Sequence, residues 1–223
     1  MSNAMATAHA PVQPPATDRR PVRERLLASA DELFYREGIN NVGIDRVLEH
    51  AGVAKASLYS TFGSKDELVK AYLEGRQATR RARIEGRLER DSTARGKLLA
   101  VFDALAETLA QPGFRGCAFI MANAERPGGD RSKPVSDVYR QWIRELLLRL
   151  AKESGAAAPA VLAQQLLLLY DGALISAQMD ANAAAGRAAR STAEALIDAA
   201  LATPPRPTRS RAATSGRAGK RPA

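Results

Sequence analysis

The chain has 223 residues, of which 45% are hydrophobic and 26% are charged, the balance of a globular protein with enough apolar material for a core. Its single cysteine, Cys117, excludes an intrachain disulfide and a zinc site built from several cysteines. Only two histidines are present, His9 and His50, so a histidine-rich metal centre is excluded as well.

The net charge of +9 is unevenly distributed along the chain. Residues 19–90 hold 15 Lys and Arg against 11 Asp and Glu, residues 91–202 hold 12 of each, and residues 203–223 hold six bases and no acid. A basic front followed by a neutral middle suggests that the front binds a polyanion and that the middle has a different task.

Neither end of the chain carries a core-forming pattern. Residues 1–5 are interpreted as the remnant of an affinity tag ahead of a natural start at Met5. The rest of segment 1–18 is rich in proline and alanine, and segment 203–223 is composed mainly of Pro, Arg, Ser, Gly and Ala. We expect both segments to be disordered. The basic tail is favoured as a solubilising extension, with auxiliary DNA binding as the alternative.

Helical spacing of apolar residues begins near Arg20 and predicts a first helix that ends at Gly38. A second helix is predicted over 44–51 and a third over 55–62. A capping box in segment 64–67 then starts a fourth helix that continues through a basic stretch. A solvated face is favoured over direct DNA contact for the arginines of this stretch, which are Arg76, Arg80, Arg81, Arg83 and Arg87.

Five further helices are predicted, and strand signals are absent, so the expected fold class is all-α. The most apolar stretch, 160–179, contains Gln164, Gln165 and Asp171, which argue against a membrane span. We therefore expect a cytoplasmic protein with no membrane partner. The five predicted helices fall near 95–110, 114–125, 134–154, 159–183 and 187–202.

The second and third helices, joined at Gly52, have the layout of a helix-turn-helix. At about 100° per residue, Leu58 and Phe62 share a face that must point inward, whereas Ala56 and Ser60 point away from it. Small side chains let a backbone approach base edges, and hydroxyls hold phosphates. The outward face of the third helix is therefore the candidate DNA-reading surface.

Residues 38–69, GINNVGIDRVLEHAGVAKASLYSTFGSKDELV, resemble the DNA-binding signature of the TetR family of transcriptional regulators. The later two thirds of the chain resemble that family only in layout, as a helical ligand-binding and dimerising domain. We expect a three-helix DNA-binding domain over 19–66 and a helical regulatory and dimerisation domain over 67–202. The matching positions are Ala51-Gly52-Val53, Leu58-Tyr59, Phe62 and Ser64-Lys65-Asp66-Glu67-Leu68.

The resemblance implies DNA contacts from the third helix and from Lys65, which would sit on a phosphate with help from the N-terminus of the fourth helix. The family often has Thr or Ser at the two positions before Ile44. This chain has Val42 and Gly43 there, so a phosphate contact would rest on backbone amides alone. The implied DNA-binding residues are Gly43, Lys55, Ala56, Ser57, Tyr59, Ser60, Thr61 and Lys65.

Several of these interpretations have a plainer alternative. Tyr59 could be a packing residue, and Lys65 could be merely solvated. Arg19 and Arg20 could reach into a minor groove or make no contact at all.

Polar and aromatic side chains on the otherwise apolar helices of the neutral region are candidates to line a ligand pocket. Ordinary core packing is the alternative for each of them. The charge balance of this region suggests a neutral or amphipathic ligand. The candidates are Phe102, Cys117, Phe119, Asn123, Tyr139, Trp142, Tyr170, Asp171 and Gln178.

The last two predicted helices are rich in alanine, and small residues permit close helix approach. Two such helices from each subunit would form a four-helix interface about a two-fold axis. The predicted interface residues are Leu162, Leu166, Leu169, Ala173, Ala177, Ala193, Leu196, Ile197 and Ala200.

Together these features predict a dimeric repressor that binds a palindromic DNA operator and is released by an unknown small-molecule effector. No catalytic residue, metal or cofactor is predicted, because neither a paired-carboxylate nor a phosphate-loop motif occurs in the sequence. The alternatives are a helical protein-interaction module that binds an acidic partner and a helical enzyme.

Overall fold

The computed structural model describes residues 19–125 and 132–202, and these ranges contain α-helices and no strand. The all-α fold class is confirmed. The predicted terminal segments 1–18 and 203–223 lie outside the described residues. The helices are α1 (Val22–Glu37), α2 (Ile44–Ala51), α3 (Lys55–Phe62), α4 (Lys65–Leu88), α5 (Ala94–Leu109), α6 (Ala118–Glu125), α7 (Ser132–Glu153), α8 (Pro159–Met179) and α9 (Ala184–Ala202).

Three predicted helix bounds are wrong by three or four residues. α6 begins at Ala118 rather than at residue 114, because Gly113 and Gly116 adopt positive φ angles of 78° and 124° that a right-handed helix cannot contain. α8 ends at Met179 rather than at residue 183, and the chain then turns through Ala181 at a φ of 50°. That turn lets α9 begin at Ala184, three residues earlier than predicted.

Helices α1, α2 and α3 form a small unit around fully buried apolar side chains, among them Leu26, Val47 and Leu58. Arg25 of α1 donates to the carbonyl oxygen of Ala51 at 2.7 and 3.0 Å and to that of Gly52 at 2.5 Å. A cation at a helix C-terminus satisfies its free carbonyls and complements its dipole. Arg25 thus fixes the junction between α2 and α3 from the side.

Helix α4, with 24 residues, connects this unit to the rest of the molecule. Its first turn is capped as the sequence predicts, because the Ser64 hydroxyl oxygen accepts from the Glu67 backbone N–H at 3.2 Å. The N-terminal half buries Leu68 and Tyr72 against α1, and the C-terminal half packs against α5 and α7. A movement of α4 would therefore displace contacts both in the unit of α1 to α3 and in the later helices.

The prediction that the arginines of α4 form a solvated face is wrong. Each is half-buried and contacts a side chain outside its own helix, because elements of both halves of the chain flank α4. The pairs are Arg76 with Asp31 and Tyr35, Arg80 with Cys117, Arg81 with Trp142, Arg83 with Thr108, and Arg87 with Glu107.

Helix α8 lies between α7 and α9 and buries one side against them. By length and composition it is the one described helix that could cross a membrane. Its inner side, which includes Leu166, Tyr170 and Leu174, is nevertheless packed inside the protein, as expected of a core helix.

Candidate functional site

Helix α3 turns one face to the core and the other to solvent. Leu58 is fully buried, whereas Tyr59 is 49% exposed, and Lys55, Ala56 and Ser60 are exposed beside it. No described element covers this outer surface. The helical spacing in the sequence predicted this division of faces.

The hydroxyls of Ser60 and Thr61 bond to the backbone of α3 itself. The carbonyl oxygen of Ser57 accepts from Thr61 Oγ1 at 2.6 Å and from Ser60 Oγ at 3.1 Å. Each hydroxyl oxygen keeps lone pairs that can accept from a base amine, so base-edge contact requires no rearrangement.

Lys55 lies at the first position of α3 and pairs with Asp45 of α2, with Nζ 3.0 Å from Oδ1. Both side chains are well exposed, and hydrogen bonding to Asp45 raises the pKa of Lys55. An exposed ion pair contributes little to stability. Lys55 can therefore exchange the carboxylate for a phosphate at small cost.

Lys65 has a structural contact that the sequence did not suggest. Its Nζ donates to the carbonyl oxygen of Ile39 at 2.7 Å and lies 5.8 Å from the centre of the Phe34 ring. The side chain thereby ties the start of α4 to the connection between α1 and α2. Its role as a phosphate ligand stays a prediction.

Gly43 precedes α2 in an extended conformation, and no side chain caps the helix. Val42 is fully buried beneath it, and a Cβ at Gly43 would meet no atom within 4 Å. The N-terminus of α2 therefore has open space beside Gly43, and a phosphate contact by its backbone N–H groups stays a prediction.

A cavity of about 290 Å³ lies between α6, α7 and α8. Six of the nine side chains predicted to line a ligand pocket meet in its wall. They are Cys117, Phe119, Asn123, Tyr139, Tyr170 and Asp171.

Two tyrosines form the polar floor of this cavity. The hydroxyls of Tyr139 and Tyr170 are 3.0 Å apart, and Phe119 stacks on Tyr139 with ring centres 4.7 Å apart. Burial raises the pKa of both phenols, so both are neutral at physiological pH. Arg140 and Asp171 form an ion pair beside them, with Nη1 and Oδ1 2.7 Å apart.

The other three candidates do not line this cavity. Phe102 is fully buried in the core, edge-on to Tyr170. Trp142 lies on the far side of Tyr139, under the guanidinium of Arg81. Gln178 is exposed and lies against Gly116. Helical phase turns Trp142 away from the cavity. Phe102 lies on α5, which does not wall the cavity, and Gln178 lies one turn beyond Leu174 near the end of α8.

A larger cleft of about 850 Å³ opens between α1, α4 and the segment 108–119, and the sequence did not predict it. Tyr35 closes one end, because its hydroxyl donates to Gly116 O at 3.0 Å and accepts from the Arg115 backbone N–H at 2.9 Å. The walls come from segments far apart in the chain. The sequence feature that could have indicated the cleft is the spacing of Arg76, Arg80 and Arg83, which places them on one face of α4.

Helix α6 is fastened to the connection between α1 and α2. The Asn40 backbone N–H donates to Glu125 Oε2 at 2.8 Å, and Asn40 Nδ2 donates to the Glu125 carbonyl oxygen at 2.7 Å. Gly38, at a φ of 92°, leaves room for this carboxylate, because a Cβ there would lie 2.9 Å from Glu125 Oε1. The helix that walls the small cavity therefore also holds the loop before α2.

The predicted dimer interface consists mostly of residues that the single chain itself covers, and its place in a dimer stays a prediction. Six of its residues are buried inside the single chain, because the inner sides of α8 and α9 pack on each other, on α5 and on α7. They are Leu162, Leu166, Ala173, Ala177, Ala193 and Ile197, whereas Leu169, Leu196 and Ala200 are half-buried.

The opposite sides of α8 and α9 are exposed, and the side chains on them differ in size. α8 presents large apolar side chains at helical spacing, and α9 presents small residues. Large side chains on one helix can fit over small ones on another, which permits close packing. We call these two sides the outer face. Its members are Val161, Leu168, Ile175 and Met179 on α8, and Ala188, Ser191, Ala195, Ala199 and Ala202 on α9.

Comparison with known proteins agrees with this geometry. Residues 26–72, which include α2 and α3, match the family described as "Bacterial regulatory proteins, tetR family". Among solved structures, SCO4454, a TetR-family transcriptional regulator from Streptomyces coelicolor, is 30% identical with a TM-score of 0.75. The match covers 81% of this chain and 96% of that one.

Two curated transcriptional regulators are also similar to this chain, one over most of its length and the other over less than half. The HTH-type transcriptional repressor NemR of Escherichia coli (strain K12) is 28% identical over 169 residues, which are 70% of this chain and 84% of NemR. The uncharacterized HTH-type transcriptional regulator YezE of Bacillus subtilis (strain 168) is 30% identical over 103 residues, 44% of this chain. In that case the chain spans about half of the relative, 51% of its length.

Proposed function

The chain belongs to the TetR family of DNA-binding transcriptional regulators, which are not enzymes, and we propose that it is a cytoplasmic repressor. In this proposal a dimer binds a palindromic operator, and a small molecule in the C-terminal domain releases it. The similarity to NemR, a repressor by its printed name, favours repression over activation.

The observation that carries the proposal is the uncovered outer surface of α3. Tyr59 and Lys55 lie on it beside the small side chains of Ala56 and Ser60, and Arg25 holds the helix at a fixed angle to α2. A rigid helix with a small, polar outer surface fits a major groove. We assign this reading unit to residues 19–66 and the regulatory unit to 67–202.

Dimerisation supplies the second recognition helix. We assign the interface to the outer face of α8 and α9, because large apolar side chains are exposed there in the described chain. To contact two half-sites one turn of DNA apart, the two copies of α3 in the dimer must lie about 34–36 Å apart.

The position of α6 supports the proposal that a ligand releases DNA. Phe119 and Asn123 line the small cavity, and Glu125, at the end of the same helix, bonds to Asn40 just before α2. A ligand that shifts α6 would move that loop. It releases DNA only if it binds the two conformers with different affinity.

Fluorescence anisotropy with labelled duplexes tests whether the protein recognises a specific DNA sequence. We expect a duplex enriched by the protein from a random pool to bind at least about 10³-fold more tightly than its shuffled version. We also expect both affinities to fall steeply from about 50 to 200 mM salt. Equal, weak binding of the two duplexes would instead favour a module that binds acidic partners.

A further inference from the structure

The cleft between α1, α4 and segment 108–119 is rich in arginine but holds few carboxylates. Its two acids are already engaged, because Asp31 forms a two-pronged pair with Arg76 at 2.5 and 2.8 Å and Glu32 pairs with Arg36 at 3.0 Å. Three more arginines line the same cleft, Arg80, Arg83 and Arg115.

Arg80 and Arg83 lie one turn apart on α4 and have only neutral partners among the described residues. Arg80 donates to the Cys117 sulfur at 3.3 Å, and Arg83 donates to the Thr108 hydroxyl at 2.9 Å. When the Gln111 amide is oriented with its oxygen toward Arg83, that oxygen also accepts from Arg83 Nη2 at 2.6 Å.

A half-buried guanidinium is costly without an anion, because it stays charged at every relevant pH. Arg80 has five N–H donors and bonds one of them to a thiol sulfur, a weak acceptor. In the described part of the chain no buried side-chain nitrogen or oxygen lacks a partner. Arg80 lines the cleft, so its remaining N–H groups are available to an anion that enters it.

We propose that this cleft binds a small organic anion, an aromatic carboxylate, with its carboxylate held by Arg80 and Arg83. A carboxylate matches the planar donor fork of a guanidinium and accepts from it in a two-pronged arrangement. The site is a different one from the small cavity of the proposed function, which it adjoins at Phe119, and it lies where the DNA-reading unit meets the regulatory unit.

The rest of the cleft selects for an aromatic body on that anion. Tyr35, Tyr72, Phe114 and Phe119 supply ring surface around the arginines. A volume of about 850 Å³ is far larger than an inorganic ion needs and suits a ligand of several rings.

Isothermal titration calorimetry on the full chain, at constant ionic strength, tests this assignment. The probes are 2-naphthoate, its neutral counterpart 2-naphthalenemethanol, and inorganic phosphate. We expect 2-naphthoate to bind at least about tenfold more tightly than either of the others, the loss that follows when a charge-assisted hydrogen bond is removed.

Variants locate the site. Arg80→Gln and Arg83→Gln should each weaken 2-naphthoate binding about tenfold or more, and Arg83→Lys should lose less than Arg83→Gln. Arg81→Gln is the matched control, because Arg81 lies on the same helix but over Trp142, outside the cleft. Circular dichroism confirms that each variant keeps its helices.

Three results would overturn the proposal. The first is no binding of 2-naphthoate at millimolar concentration. The second is equal binding of 2-naphthalenemethanol or phosphate. The third is unchanged affinity in folded Arg80→Gln and Arg83→Gln, or a loss that Arg81→Gln shares.

Discussion

Replacing Leu168 with glutamate should convert the proposed dimer into monomers and lower the affinity for the enriched operator by about 10² or more. Leu168 is 61% exposed in the single chain and lies between Val161 and Ile175 on the outer face. A carboxyl group placed there would be buried in an apolar interface without a partner, which disfavours association by about 2–7 kcal/mol even in the protonated form. Sedimentation velocity and fluorescence anisotropy measure the two effects.

Val138 on α7 provides the matched control, since it is 56% exposed but lies away from the outer face. Val138→Glu should remain dimeric and bind the operator as the unmodified chain does. A folded Leu168→Glu variant that stays dimeric would place the interface elsewhere on the molecule. A stable dimer of both variants with full operator affinity would contradict the assignment to α8 and α9 altogether.

Replacing Tyr59 with alanine should weaken operator binding about 10- to 100-fold, while the free energy of unfolding and the oligomeric state stay unchanged. A contact worth about 1 kcal/mol, lost at both half-sites of a dimer, gives an effect of this size. The fold should tolerate the change, because the Tyr59 side chain is half exposed and contacts solvent rather than the core. Gel shift and chemical unfolding measure the two quantities.

Tyr59→Phe separates the hydroxyl from the ring in the same assay. If the hydroxyl holds a phosphate, this variant should lose about as much affinity as Tyr59→Ala. Unchanged operator affinity in both variants would remove Tyr59 from the DNA-binding surface. Lys65→Ala is a poorer test, since the loss of its bond to Ile39 would disturb the fold as well.

The DNA-reading unit was predictable because its signals are local. Gly38, Gly52 and Gly63 end the first three helices, and Ser64 caps the fourth, so short windows of sequence contain each boundary. The inward face of α3 followed from helical spacing alone. Lys65 was the exception, because its bond to Ile39 joins segments that are 26 residues apart.

The outer face could not be predicted in this way. α8 carries one apolar stripe through Leu162 and Leu166 and a second through Leu168 and Ile175. Periodicity identifies both stripes but does not tell which one packs on α9 of the same chain. The structure places the first stripe in the core and leaves the second exposed.

The cavities were predictable in part. Aromatic and polar residues on apolar helices indicated most of the small cavity, because residue type alone marked Phe119, Tyr139 and Tyr170. The arginine-rich cleft depends on α1 and segment 108–119 meeting across α4, a long-range arrangement with no local signal. The charge balance of residues 91–202 gave no sign of the cleft either, because Arg80 and Arg83 lie before that range, in the basic front of the chain.

Selection of bound duplexes from a random pool tests most directly whether a two-fold dimer presents two copies of α3 to DNA. We expect the enriched sequences to be inverted repeats whose half-sites are centred about 10–10.5 base pairs apart, or a multiple of that spacing. Enrichment of a single asymmetric site, or no enrichment over the starting pool, would contradict the account.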